Sequence, residues 1–387
     1  MAPKEVDLIR KVYLDFLREK LSSKEYRWIL SRGMQYALIQ ASRLAGRPFC
    51  GPILGTLITN YRCNYDCVMC DLKLRDRELR ARGLTEFDTA QMKGILDDFA
   101  SLGISGVGFT GGEPLIRKDI FELLAYTKKL GMISHLNTNG SLVNDRVARE
   151  IIEAKVDSVN VSLDGACAET HDTIRGVAGA FELAVEAVRR IAVLRGKKGA
   201  LPRLKTVSVL QETNVDEVKD IITLATSLGV DCVEFIPRQP FRLDAEELPA
   251  DESLFLQKME GVTAYLLERQ KGEVKIENSP GQIRGIGRWL KEMESPLRCY
   301  AAYNSFTVDC FGEIYPCLPW ANWRKAVGNM RETGLREFWY SSDYNRIRQG
   351  TSACRKCYLN CQVELNILFN PFWRRSAAPP PTSGYTP

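Results

Sequence analysis

Histidine is scarce in this chain of 387 residues: only His135 and His171 are present. A histidine-rich metal site or a conventional histidine-based hydrolase is therefore poorly supported. Long apolar runs are also missing. No stretch of about 18 apolar residues occurs, which excludes a spanning helix. The opening MAPKEVDLIRK lacks the apolar core of a secretory signal, so a cytoplasmic protein is expected. Outside residues 1–48 there is no excess of either charge, because the whole net charge of +5 falls within that segment. A neutral body argues against nucleic acid as a partner, since phosphate binding needs a broad basic face. The basic, amphipathic start leaves peripheral contact with a membrane surface open, and a solvated helical face is the plainer explanation. Hydrophobic residues at 45% and charged residues at 26% are an ordinary globular composition, not that of a disordered or fibrous chain.

Cysteine, by contrast, is abundant, with 12 residues. Without a secretory signal, disulfides are not expected, and spaced cysteine clusters point to metal or redox chemistry.

Periodicity divides the chain. Leu8, Ile9, Val12, Tyr13, Phe16 and Leu17 recur at helical spacing, and a second helix is expected from about Lys24 to Leu44. From Thr56, short β-branched runs alternate with amphipathic ones. Strands are expected at 56–60, 106–110, 133–138, 158–163, 205–210 and 232–237. Helices are expected at 89–102, 120–130, 145–155, 180–194, 215–228 and 252–269. Strand–helix repetition implies a parallel sheet with helices outside, either a barrel or an open sheet, with its chemistry at the carboxyl ends of the strands. After about Ser295 a cysteine-rich stretch begins. Residues 305–308 and 313–315 are expected as hairpin arms, and a Pro-rich tail from 371 to 387 is expected to be disordered.

The strongest motif is Cys63, Cys67 and Cys70, spaced C-x3-C-x2-C just after the first strand. Three thiolates on one loop suit an iron–sulfur cluster, and a four-iron cubane held by three cysteines keeps one iron open. Gly111, Gly112 and Glu113 follow the second strand. Thr138 and Asn139 end the third, and Ser162 the fourth; Arg175 lies further on. Glycines admit close backbone approach, Glu113 can accept from an ammonium, and Arg175 can grip a carboxylate.

On these motifs the chain resembles the radical S-adenosylmethionine (SAM) superfamily, from about Thr56 to Cys361. The resemblance implies a partial (β/α)6 barrel within an α/β fold. It also implies a SAM-binding [4Fe–4S] cluster on Cys63, Cys67 and Cys70, and reductive cleavage of SAM to a 5′-deoxyadenosyl radical that abstracts a substrate hydrogen. Gly111, Gly112 and Glu113 would hold the SAM amino group. Ser162 and Arg175 would lie near SAM, with Thr138 and Asn139 as further contacts. Met69 departs from the aromatic residue usual before the third cysteine. Flavodoxin or ferredoxin would be the electron donor.

The second group comprises Cys299, Cys317, Cys354, Cys357 and Cys361. Cys299, Gly312 and Cys317 match C-x(9–15)-G-x4-C, so this part resembles the auxiliary-cluster domains called SPASM and, when shortened, twitch. The later cysteines are fewer than a full domain has. One auxiliary [4Fe–4S] cluster is therefore expected on Cys299, Cys317, Cys354 and either Cys357 or Cys361. A zinc knot is the alternative. Cys310, Cys50, Cys167 and Cys232 read as nonligands. The implied organisation is a helical segment 1–50, a barrel 51–280, a small auxiliary-cluster domain 281–370 and a tail 371–387. The shortened cysteine set leans toward a small-molecule or cofactor-intermediate substrate. A peptide-modifying maturase, or a noncatalytic iron–sulfur or zinc sensor, is the competing reading.

Overall fold

The computed structural model describes residues 26–239, 252–271, 274–322 and 325–370. The expected helix around Leu8–Leu17 and the Pro-rich tail lie outside the described residues.

Strand β1 (Leu54–Ile58) is followed by β2 (Gly106–Thr110), β3 (Ile133–Thr138), β4 (Ser158–Ser162), β5 (Arg203–Leu210) and β6 (Cys232–Pro237). Each pairs in parallel with the next, as the strand–helix rhythm predicts. A short β7 (Lys275–Ile276) extends the edge beyond β6. With β8 (Ser305–Asp309), β9 (Glu313–Tyr315) and β10 (Gly328–Asn329), the sheet runs β10-β9-β8-β1-β2-β3-β4-β5-β6-β7 without closing, a partial barrel.

Helix starts follow local chemistry. Asp88 and Gln91 form a reciprocal capping box, and Asn144 accepts from the Val147 N–H. The helical face of the sheet presents Val107, Phe109, Leu136, Val159, Val161, Leu204, Val233 and Phe235, all buried in one core. Because side chains alternate along a strand, the opposite face carries Gly106, Gly108, His135, Asn137, Asn160, Lys205 and Glu234. Polar and charged side chains beside two glycines do not make an apolar core.

The cysteine-rich stretch does not stand apart from the barrel. Its hairpin, β8 (Ser305–Asp309) and β9 (Glu313–Tyr315), joins the same sheet, with β8 parallel to β1. A helix at Pro280–Glu292 precedes it, capped by Ser279. Three glycines hide this helix in the sequence. One has a packing reason: a Cβ on Gly285 would meet the Tyr358 hydroxyl at 2.0 Å. The helix Tyr26–Ala45 reaches the helix Asn360–Phe369. Gln40 Nε2 donates to Phe369 O at 2.8 Å, and Tyr36 Oη to Leu368 O at 3.1 Å.

Candidate functional site

The first cysteine loop continues from the carboxyl end of β1. It is held from behind by the helix Ala168–Arg175: Asp66 N donates to Arg175 O, and Val68 N to Ile174 O. Gly176 ends that helix with φ +66°, and a Cβ there would lie 2.3 Å from Asp66 O. Glycine is thus required both by the left-handed turn and by the close approach of the loop.

Cys63 and Cys67 are half-buried and Cys70 is exposed. Burial raises the Cys63 thiol, with Cys67 and Glu113 adding to the rise. Surrounding protein pushes Cys70 up to about 11, and Cys67 and Cys63 contribute. The three thiols therefore act on one another electrostatically, and Cys70 is the exposed member. Asn139 Nδ2 lies 4.0 Å from Cys63 Sγ, and Arg175 Nη1 lies 3.7 Å from Cys67 Sγ. Arg175 is fixed by an ion pair with the fully buried Asp164, a member of the Ser162–Gly165 strand end whose pairing the sequence does not show.

Gly111 and Gly112 serve the protein's own backbone. A Cβ on Gly111 would meet Asn60 O at 2.1 Å, and one on Gly112 would meet Arg62 O at 2.0 Å. Both glycines let the strand end press against the segment entering the cysteine loop. Glu113 is fully buried, and its carboxylate accepts from Thr138 Oγ1 at 2.8 Å, Asn139 N at 2.7 Å and Leu115 N at 3.0 Å. Burial pushes its carboxyl up to about 7 against those hydrogen bonds. Glu113 thus ties the end of β3 to the end of β2. Ser162 ends β4 on the face shared with Asn160. His171 is buried, and its Nδ1 accepts from Asp164 N at 3.0 Å.

The second group draws on three segments. Burial raises Cys317, and Cys357, Cys299 and Cys354 each add to it. Cys357 is raised in the same way, with Cys299 and Cys354 contributing before Cys361. Cys299, Cys354 and Cys357 therefore all bear on Cys317, and Cys299 and Cys354 on Cys357. Cys361 sits to one side: after burial, the largest influence on it is Glu234. Cys310 has Asp309, Glu86, Arg117 and Asp76 around it rather than other thiols. Cys167 lies near Thr170 and Glu217. Arg43 braces this group from the N-terminal helix, donating to Cys299 O and, at 3.1 Å, to Ser352 O.

A buried polar link joins the two regions. Tyr61, just before the first loop, donates to Asp309 Oδ2 at 2.9 Å. Tyr315 Oη lies 3.0 Å from Asp309 Oδ2 and 2.7 Å from Glu313 Oε2, with one hydrogen to share between them. Arg75, just after the loop, donates to Glu313 and Tyr315 at 2.8 and 2.9 Å. Arg75 and Tyr315 lie 240 residues apart in sequence, beyond the reach of motif reading.

Both donor sets are thiolate-rich, the chemistry that iron–sulfur clusters take. Among the described residues, no group of three His, Cys, Asp or Glu side chains is gathered as for a single metal ion.

Comparison with known proteins agrees. Residues 57–225 match the model of the Radical SAM superfamily, and residues 299–361 match SPASM, an iron–sulfur cluster-binding domain. That second match favours an iron–sulfur cluster over a zinc knot. An AdoMet-dependent heme synthase of Methanosarcina barkeri is 29% identical over 76% of this chain and 84% of its own. An Fe-coproporphyrin III synthase of the same organism is 29% identical over 72% of this chain and 71% of its own. In fold, Streptococcus suis SuiB gives a TM-score of 0.62 at 17% identity, over 88% of this chain and 80% of that one. The anSMEcpe structure with bound AdoMet gives 0.58 at 15% identity, over 84% and 99%.

Proposed function

The chain is a radical SAM enzyme with a C-terminal SPASM domain, and from that premise we propose that it abstracts a hydrogen from a carboxylate-bearing side chain of a tetrapyrrole. When bound, the [4Fe–4S] cluster and SAM supply a one-electron cleavage of the sulfonium and a carbon radical that takes the substrate hydrogen. Cys63, Cys67 and Cys70 would hold the SAM-binding cluster, three thiolates for a four-iron group. Glu113 fixes Thr138 and Asn139 at the strand end, so that the Asn139 carboxamide stays beside Cys63. Arg175, locked by Asp164, keeps a cation beside Cys67. Cys299, Cys317, Cys354 and Cys357 would hold the auxiliary cluster, with Cys361 outside the set. A reductant of the flavodoxin or ferredoxin kind would supply the electron.

The observation that carries the substrate reading is the likeness to heme and Fe-coproporphyrin III synthases over about three-quarters of the chain. The polar inner face of the sheet suits a substrate with several hydrogen-bonding groups. Among the described residues, no helix is long and apolar enough to cross a membrane.

Anaerobic turnover with iron coproporphyrin III tests the proposal. Faster 5′-deoxyadenosine formation with a mass change in the porphyrin is expected. Competent SAM cleavage with no porphyrin changed would overturn it, and stimulation by a peptide instead would favour a maturase.

A further inference from the structure

On the inner face of the sheet, below the cysteine loop, a group of polar side chains surrounds open space. His135 on β3 is in register with Gly108 on β2, and a Cβ added at Gly108 would meet no atom within 4 Å. The strand wall beside the imidazole is therefore hollow. Asn160 Nδ2 lies 2.6 Å from His135 Nε2 and donates to Asn137 Oδ1 at 3.0 Å. With the Asn160 NH2 donating, His135 Nε2 accepts in the tautomer that carries its proton on Nδ1. Burial, with Lys205 and Arg203 nearby, pushes His135 down to about 3, so the ring is neutral at physiological pH. Asn160 is 6% exposed, and its Oδ1 has no partner among the described residues.

Lys205 is in register with Asn160 on the next strand. It is 7% exposed and makes one long contact, 3.3 Å, with Glu234. An ammonium carries three donors, so this contact leaves donor capacity. Glu234 is held from its other side by Asn360 Nδ2 at 2.9 Å. Arg203 is committed to Glu277 at 2.6 Å. Cys361 lies beside Glu234 and Lys205, which puts this group on the side of the second cysteine cluster.

We propose that Lys205 and His135 form a seat for a carboxylate of the substrate, beside the hollow at Gly108 and facing the auxiliary-cluster cysteines. The two existing ion pairs leave the site near neutrality, so an added carboxylate meets donors rather than an excess of negative charge. Asn160 Oδ1 is left to accept from a neighbouring substrate group or from water bound with it. This inference rests on the tetrapyrrole reading, whose substrates carry several carboxylates.

The test uses the anaerobic holoenzyme and two probes, iron coproporphyrin III and its tetramethyl ester, titrated by Soret absorbance. The wild type should bind the acid at least about tenfold more tightly than the ester, about 1.4 kcal/mol. Lys205→Met combined with Glu234→Gln removes the ion pair without orphaning either charge. This double variant and His135→Ala should each erode that preference, while Lys205→Arg retains it. Iron content checks that each variant has folded. Binding without preference in the wild type, or full preference in the double variant and in His135→Ala, overturns the seat alone. No binding of either porphyrin overturns the tetrapyrrole reading and the seat with it.

Discussion

The two cysteine regions are built in opposite ways. The first is local: Cys63, Cys67 and Cys70 sit on one loop, with Cys70 exposed. The second is assembled from three segments, with Cys299 and Cys317 buried and Cys354 and Cys357 half-buried. It depends on a hairpin fused to β1 and on Arg43 of the N-terminal helix. An open loop suits a cluster that must admit SAM and an electron donor. A set enclosed by the fold suits a cluster that is fully ligated by protein.

Replacing Cys63, Cys67 and Cys70 together by Ala would break the comparison most severely. Formation of 5′-deoxyadenosine should fall to background, while the auxiliary cluster's iron remains; residual SAM cleavage would remove the first loop from the mechanism. Next in size, Cys357→Ala should cost about four irons per chain, one cubane, and Cys361→Ala none. Equal iron loss in both variants would put Cys361 among the ligands.

The link between the regions is tested by Arg75→Met. Arg75 is 2% exposed, as is its partner Glu313. Glu313 keeps its ion pair with Arg82 at 2.7 Å, so the loss, which denaturant unfolding of the anaerobic protein would report, should fall short of the about 3–5 kcal/mol of a fully orphaned buried charge. A change under about 1 kcal/mol would mean that the pair is dispensable.

Asp309→Asn should have the smallest effect, and one of opposite sign. Burial, with Glu313 beside it, pushes the Asp309 carboxyl up to about 6 from 3.8. A carboxyl raised on folding contributes fully below the unfolded value and loses that contribution as pH rises through the folded one. The wild type should therefore lose stability relative to the variant between about pH 4 and 6, by roughly 1–3 kcal/mol, with a constant difference above. The carboxamide oxygen of the variant can still accept from the Phe311 and Glu313 N–H groups that Asp309 Oδ1 serves. A pH-independent difference would show that Asp309 ionises as freely folded as unfolded.

The contrast also explains what is legible in the sequence. The spacing of Cys63, Cys67 and Cys70 is a property of eight neighbouring residues, and the six main strands follow from local alternation; β2, β3 and β6 match the expected boundaries. The choice between Cys357 and Cys361 is open to sequence reading because it depends on which thiols the folded chain brings together. The fusion of β8 to β1 is equally invisible, since nothing in Ser305–Asp309 names its partner strand. Gly111 and Gly112 are legible as glycines required by close approach, but what approaches is the chain's own backbone at Asn60 and Arg62. Arg75 and Lys205 carry no motif, and Asp164 lies within the Ser162–Gly165 strand end without a role of its own there; their roles come from burial and pairing in the fold.

The most direct test of the division of labour is anaerobic quantification of 5′-deoxyadenosine in reduced, reconstituted Cys357→Ala protein beside Cys63→Ala. The account predicts SAM cleavage by Cys357→Ala at a rate within about an order of magnitude of the wild type, and none by Cys63→Ala. Cleavage by Cys63→Ala, or its complete loss in a Cys357→Ala sample whose first cluster is intact, would contradict it.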